Sequence, residues 1–252
     1  SIAPHAPYTT SDKTLNLIST YAEQLDLSIH THLHETEDEV KNSIDQFKLS
    51  PIQRYNALGL LGPNLVAAHC VHVDDQDLIL LQQNNVNVVH NPSSNLILGS
   101  GIADIPKMLD LGINVTVGTD SSASNNRLDI LEELRMAALL GKGLSKKPDI
   151  FDAKTALKMA TYNAARSLNK SKIFGSIEVN KKADIVAINL DSIYSQPVYN
   201  PLSTLLYNAN QGGVDYVWIN GTLKLKAGQL HNIDLDRLKN IANSWKTKIK
   251  TT

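Results

Sequence analysis

The sequence predicts an α/β fold built on a parallel sheet, with a smaller β-rich unit behind it. Three observations point there. Short segments rich in Val and Ile alternate with helical patterns over the first two thirds of the chain, and such alternation implies parallel strands joined by right-handed crossovers. Several of these segments are apolar on both faces up to their polar ends, as strands buried between two layers are. After about residue 172 the texture changes to alternating apolar and polar residues with hairpin signals.

In chain order, a first strand is expected to end at His5 within "SIAPHAPYTT". A helix over 11–26 follows, with Ser11 as N-cap and Leu15, Ile18, Ala22 and Leu25 on its apolar face. "LSIHTHL" (27–33) reads as a strand that runs out into a helix-capping acidic stretch. "LVAAHCVHV" (65–73), "VNVVHNP" (86–92) and "INVTVGTD" (113–120) read as further strands. Helical patterns over 74–84, 101–112, 127–141 and 152–169 fill the spaces between and after them. "FGSIEVNKKADIVAINL" and "VDYVWINGTLKLKAGQL" then alternate like exposed strands, with turns at "NG" and "AG". An amphipathic helix is expected over 235–249. The natural division is therefore 1–172 and 173–252.

Composition narrows the function classes. With 42% hydrophobic residues, 19% charged residues and a formal net charge of −1, the chain offers no electrostatic footprint for nucleic acid or an anionic membrane. No apolar run approaches the roughly 20 residues needed to cross a bilayer. The single cysteine, Cys70, excludes an internal disulfide framework and fits a reducing compartment. The opening residues lack the charged and apolar regions of a signal peptide, so a cytoplasmic protein is expected.

Polar residues gather at the expected strand ends: His5, then His32 and Glu35, His69 and His72, His90 and Asn91, and finally Asp120. In a (β/α)8 barrel that rim is where active sites are built. Residues two apart on a strand share a face and lie roughly 6.6 Å apart, so His30 sits one layer deeper than His32. His32 and Glu35 form H-x-x-E across the strand exit, where an imidazole can hold a metal and the carboxylate can move protons beside it. His69 and Cys70 should point to opposite faces, and Cys70 is expected to be a small buried apolar residue. "VGTD" delivers Asp120 just past a glycine, at a barrel mouth.

Taken in order, "APHAPYT" (3–9), "HLHETEDEV" (32–40), "AAHCVH" (67–72), "HNPSSNLILGSGIA" (90–103) and "GTDSSASNN" (118–126) resemble the TRZ/ATZ branch of the amidohydrolase superfamily. Within it, they are most similar to the methylthioadenosine/S-adenosylhomocysteine deaminases. "GSIEVNKKADIVAI" (175–188) is similar to the start of that family's C-terminal β-sandwich segment. The resemblance implies a metal-dependent (β/α)8 barrel seen in its C-terminal portion, about five strands of the eight, followed by a small β-sandwich segment and a C-terminal helix. It implies a hydrolytic deaminase of the adenine ring that uses one divalent metal, zinc or alternatively iron.

By the same resemblance His32 and Asp120 would ligate the metal. Asp120 would also take a proton from water, and Glu35 would pass one to the purine ring. His69 would orient the attacking hydroxide. His5, Glu35 and Asp120 would contact the substrate. His30 is expected to support His32 from beneath, and His34 to lie in the pocket or on its rim. Asn180 stands where the family often has Gly. The expected partners are a small nucleoside and further copies of the chain in a homo-oligomer, with no nucleic acid and no membrane. The His-x-His pair that supplies two more ligands in the family is absent, so the chain is expected to be the second half of a longer protein. Another deaminase or chlorohydrolase of the branch, acting on guanine or a triazine, and a fragment inactive on its own are the alternative readings.

Overall fold

A computed structural model describes residues 1–209 and 211–250. The first half of the chain runs α1 (Asp12–Gln24), β1 (Ile29–Leu33), α2 (Glu37–Phe47), α3 (Pro51–Ala57), β2 (Leu65–His69), α4 (Asp75–Gln83), β3 (Asn87–His90), α5 (Pro92–Ile97), α6 (Ile105–Asp110) and β4 (Asn114–Val117). Helices α7 (Ile130–Ser145), α8 (Ala153–Ala160) and α9 (Tyr162–Ser167) complete this region. The rest comprises β5 (Ile185–Ile188), α10 (Pro201–Tyr207), β6 (Val214–Ile219), β7 (Thr222–Lys226), β8 (Gln229–Leu230) and α11 (Leu235–Lys250).

The first four strands form one parallel sheet in the order β1-β2-β3-β4. Each strand pairs with the next in sequence, so every crossover advances by one position, and Ile29↔Leu65 sets the first register. Hydrophobic residues of the helices and of one sheet face form a single buried cluster that includes Leu15, Leu33, Ile52, Leu78, Val88, Met108, Val115 and Leu134. Fully burying a side chain of this size stabilises the fold by about 1.5–3 kcal/mol. In β1 the residues Ile29, Thr31 and Leu33 are buried, and His30 and His32 alternate onto the other face.

The structure corrects several sequence expectations. About five parallel strands were expected, and four form among the described residues. The segment ending at His5 contributes an isolated parallel bridge, Ile2↔Ile29, and one shifted backbone bond in which His32 N–H donates to His5 O at 3.2 Å. Its ladder starts with Ile2 N–H donating to Ser28 O and His30 N–H to Ile2 O. The next donor along that segment would be residue 4, and Pro4 has no N–H to give.

Helix α7 runs past Gly141, where a stop was expected. Gly141 is a packing glycine, since a Cβ there would meet Phe151 and Pro106 at 3.2 Å. The single helix expected over 152–169 breaks at Thr161, whose backbone leaves the helical region (φ −125°, ψ −92°). Its hydroxyl donates to Leu157 O at 2.7 Å, offering the chain an alternative to continuing the helix.

The remaining strands form one antiparallel sheet, β5-β6-β7-β8. Its hairpins turn where "NG" and "AG" predicted, with positive φ at Asn220 and Gly221 and again at Ala227 and Gly228. Asn180 has φ 72°, a left-handed conformation that Asn tolerates and that explains why it can stand in for glycine. Among the described residues no helix is long and apolar enough to cross a membrane.

Candidate functional site

Three of the four parallel strands leave the sheet through left-handed backbone: His34 (φ 53°) after β1, His69 (φ 74°) at the end of β2, and Asp120 (φ 60°) after β4. Non-glycine residues adopt this region rarely, and such strain gathers where structure over-determines a functional side chain. A cavity of about 450 Å³ opens at these exits. His5, His30, His32, Ala68, Asn91, Gly118 and Asp120 are among the residues that line it.

His32 is oriented by its neighbour. Its Nδ1 lies 2.5 Å from His5 O. A carbonyl can only accept, so Nδ1 carries the proton and Nε2 is left with a bare lone pair, the form a metal ligand needs. The His5 ring stands edge-on to His32, with centroids 5.0 Å apart. Burial, and then the nearby His32, lower the pKa of His30. His30 faces the same cavity as His32 and makes no hydrogen bond to it among the described residues.

His69 is almost wholly buried. Its Nδ1 pairs with Asn95 Oδ1 at 2.8 Å, and its buried Nε2 has no hydrogen-bond partner. That nitrogen lies 3.8 Å from Glu35 Oε2. Glu35 is held in turn by Glu39, whose carboxylate reaches back past the Thr36 cap of α2. It accepts from Glu35 N–H at 2.8 Å and from His34 N–H at 3.0 Å.

The Asp120 carboxylate accepts three hydrogen bonds: Ser94 Oγ (2.6 Å) and Ser124 Oγ (2.9 Å) on Oδ2, and Ser121 N–H (2.7 Å) on Oδ1. Burial opposes its charge, but these three donors outweigh burial and hold its pKa below the usual carboxylate value. Gly118 is required for space. A Cβ there would come within 2.8 Å of Asn91 Oδ1 and 2.9 Å of Val89 Cγ1.

Other histidines have structural work. His34 was expected in the pocket or on its rim, yet it is fully buried. Its Nδ1–H donates to His72 O at 2.7 Å and its Nε2 accepts from Ile52 N–H at 3.0 Å, so its ring ties the β1 exit to the 70–72 turn and to α3. His72 supports the rim by donating Nε2–H to Ser100 O at 2.6 Å. His90 is buried with Nδ1 unpartnered, and burial followed by proximity to His69 lowers its pKa to about 3. Cys70 is a buried free thiol, as expected, and burial pushes its pKa far up.

In kind and placement the donors fit a divalent metal: His32 with Nε2 free, Asp120 across the cavity, and the orphaned Nε2 of His69 beside them. In number they fall short. Among the described residues no three His, Cys, Asp or Glu side chains come together as a metal site, and His32 with Asp120 makes two donors against the three usual for a catalytic zinc.

Sequence reasoning missed the residues that hold these side chains: Glu39, Asn95, Ser94 and Ser124. The Thr36-x-x-Glu39 spacing was a readable capping signal. The Ser and Asn clusters "PSSN" and "SSASNN" just past strand exits were a weaker one.

Residues 1–224 match the Amidohydrolase family. A 5-methylthioadenosine/S-adenosylhomocysteine deaminase of Saccharophagus degradans is 40% identical over 98% of this chain, which covers 55% of that relative. An adenosine deaminase of Xanthomonas campestris, solved with bound zinc, is 39% identical with a TM-score of 0.97, over 99% of this chain and 57% of its own. An atrazine chlorohydrolase of Arthrobacter aurescens, also solved with zinc, is 25% identical with a TM-score of 0.92, over 97% of this chain and 54% of its own. The chain spans about half the length of the relatives it matches.

Proposed function

The chain belongs to the amidohydrolase family, and on that premise we propose that its protein is a metal-dependent hydrolytic deaminase of the adenine ring. The substrate would be 5′-methylthioadenosine or S-adenosylhomocysteine. Water would add at the ring carbon bearing the amino group, the C–N bond would break, and ammonia would leave an inosine-type product. One arrangement carries this reading: His32 and Asp120 face one cavity, with the Glu35–His69 pair (3.8 Å) beside them.

We assign the residues as follows. His32 (through Nε2) and Asp120 would hold a divalent metal, zinc or alternatively iron, together with donors beyond those described. Bound there, such a metal supplies the Lewis acidity that makes water a nucleophile near neutral pH. Asp120 takes the proton from the attacking water. Glu35 delivers a proton to the ring nitrogen, which makes the adjacent carbon attackable. His69 has its Nδ1–H committed to Asn95, so it offers Nε2 as acceptor to the attacking group and steadies the tetrahedral intermediate. His5, on the cavity wall, contacts the substrate, as do Glu35 and Asp120.

The parallel sheet is, on this reading, a segment of a (β/α)8 barrel over 1–172. The antiparallel sheet over 173–252 belongs to a β-sandwich segment. The protein would work as a cytoplasmic homo-oligomer on a small nucleoside, without nucleic acid or membrane. A second reading, a triazine- or guanine-type hydrolase of the same branch, keeps the same site residues. Identity of 40% to the thio-nucleoside deaminase against 25% to the chlorohydrolase favours the first.

The test is substrate choice. The zinc-loaded protein should release ammonia from 5′-methylthioadenosine or S-adenosylhomocysteine with the ultraviolet shift of inosine formation. It should be much slower on guanine and on chlorotriazines. A reversed preference would move the protein to the second reading. No turnover of any of these by the 252-residue chain alone would be the outcome expected of an incomplete catalytic unit.

A further inference from the structure

Glu133 is a carboxylate that the proposed chemistry does not use, and it is almost wholly buried (1% exposed). Burying an ionised carboxylate is costly unless donors satisfy it. Glu133 has two: Ser93 N–H on Oε2 at 3.1 Å and Asn125 Nδ2 on Oε1 at 2.7 Å. It also lies in the first turn of α7, where the positive end of the helix dipole favours an anion.

The two donors come from opposite sides of the site. Ser93 precedes Ser94, and Asn125 follows Ser124, and these two serines are the ones that donate to Asp120 Oδ2 at 2.6 and 2.9 Å. Asn125 Nδ2 also donates to Thr119 O at 2.9 Å, gripping the backbone one residue before Asp120. One buried carboxylate thus spans α5 and the 119–125 loop, two segments with no backbone ladder between them. Both of its oxygens are spent on residues flanking Asp120's hydrogen-bond donors.

We propose that Glu133 is a positioning residue that sets the orientation of the Asp120 carboxylate by clamping together the segments that carry Ser94 and Ser124. The inference rests on the reading of Asp120 as a metal ligand. Glu133 touches neither substrate nor metal. Its charge matters because both clamped groups are donors: a neutral glutamine can accept from one of them but presents its own N–H to the other.

The experiment compares Glu133→Gln with Asp120→Asn in the intact protein, stripped of metal and titrated with zinc against a chromophoric chelator. Backbone hydrogen exchange is measured on the metal-free samples. Glu133→Gln should weaken zinc binding roughly tenfold, as loss of an outer partner does, and should speed exchange at Ser93 and across 119–125. A melting-temperature loss with zinc affinity unchanged in Glu133→Gln, while Asp120→Asn loses it, would make Glu133 merely structural and overturn the inference. Wild-type affinity in Asp120→Asn would instead overturn the ligand reading beneath it. Should Glu133→Gln fail to fold, Asn125→Ala removes one arm only, and its zinc affinity is read by the same criteria.

Discussion

The imidazole rings of His32 and His69 stack, with centroids 5.4 Å apart and planes inclined by 16°. Each ring also has its Nδ1 engaged, by His5 O and by Asn95 Oδ1. That leaves the Nε2 atoms of both rings for the chemistry, which the proposed assignment uses as one ligand and one acceptor.

The site assignment predicts a split between metal binding and turnover. His32→Ala and Asp120→Asn should each strip most of the bound metal, because each removes a donor. Glu35→Gln should keep the metal and lose turnover, because it removes a proton carrier and leaves the donors. Elemental analysis of the purified variants decides the matter, and wild-type metal content in both ligand variants would sink the assignment.

His90 predicts an acid-sensitive fold. Its folded pKa, lowered to about 3 by burial and by His69, lies below the value of about 6.5 for an unfolded histidine. The unfolded chain therefore binds a proton that the folded chain refuses. The stability that comes with a neutral His90 is complete above about pH 6.5 and is lost as pH falls from there toward 3, by an amount on the order of a few kcal/mol. Urea midpoints measured in chelator across that range should fall steeply for the wild type and less steeply for His90→Gln. Parallel curves would show that His90 does not govern the acid limb.

Arg54 predicts how the His5 segment is anchored. Its buried guanidinium donates to Pro7 O (2.8 Å), Thr10 O (3.1 Å) and Asp12 Oδ1 (2.5 and 2.8 Å), and it lies 4.0 Å over the Phe47 ring. Lysine cannot reproduce this fork. Arg54→Lys should destabilise the fold by roughly 1–3 kcal/mol, since the buried Pro7 carbonyl loses its donor, and should speed proteolysis within 5–12. Unchanged stability and cleavage would mean that the segment is held by its bridge to β1 alone.

Gly118→Ala tests the crowding at the cavity floor. The new methyl would meet Asn91 Oδ1 and Val89 Cγ1 at under 3 Å, and overpacking of this kind costs roughly 1–3 kcal/mol. Thermal melts of the two proteins provide the measurement. A melting temperature equal to that of wild type would show that Asn91 rotates away freely.

Much was legible in the sequence because its signals are local. Alternating Val- and Ile-rich segments give buried parallel strands, Ser11 gives a cap, and Asn220–Gly221 gives a turn, each through the conformational preferences of a few neighbouring residues. The strand-end positions of His32, Glu35, His69 and Asp120 follow from the same local reading. What only the tertiary structure decided is how these residues are held. Asn95 is 26 positions from His69 and Arg54 is 42 from Asp12, and Ser93 and Asn125 meet on Glu133 from different elements. The fate of His34 was likewise set by α3 and the 70–72 turn closing on both of its ring nitrogens. Hydrogen bonds between segments far apart in the chain leave no periodicity to read, because they depend on where the packed sheet places each strand exit.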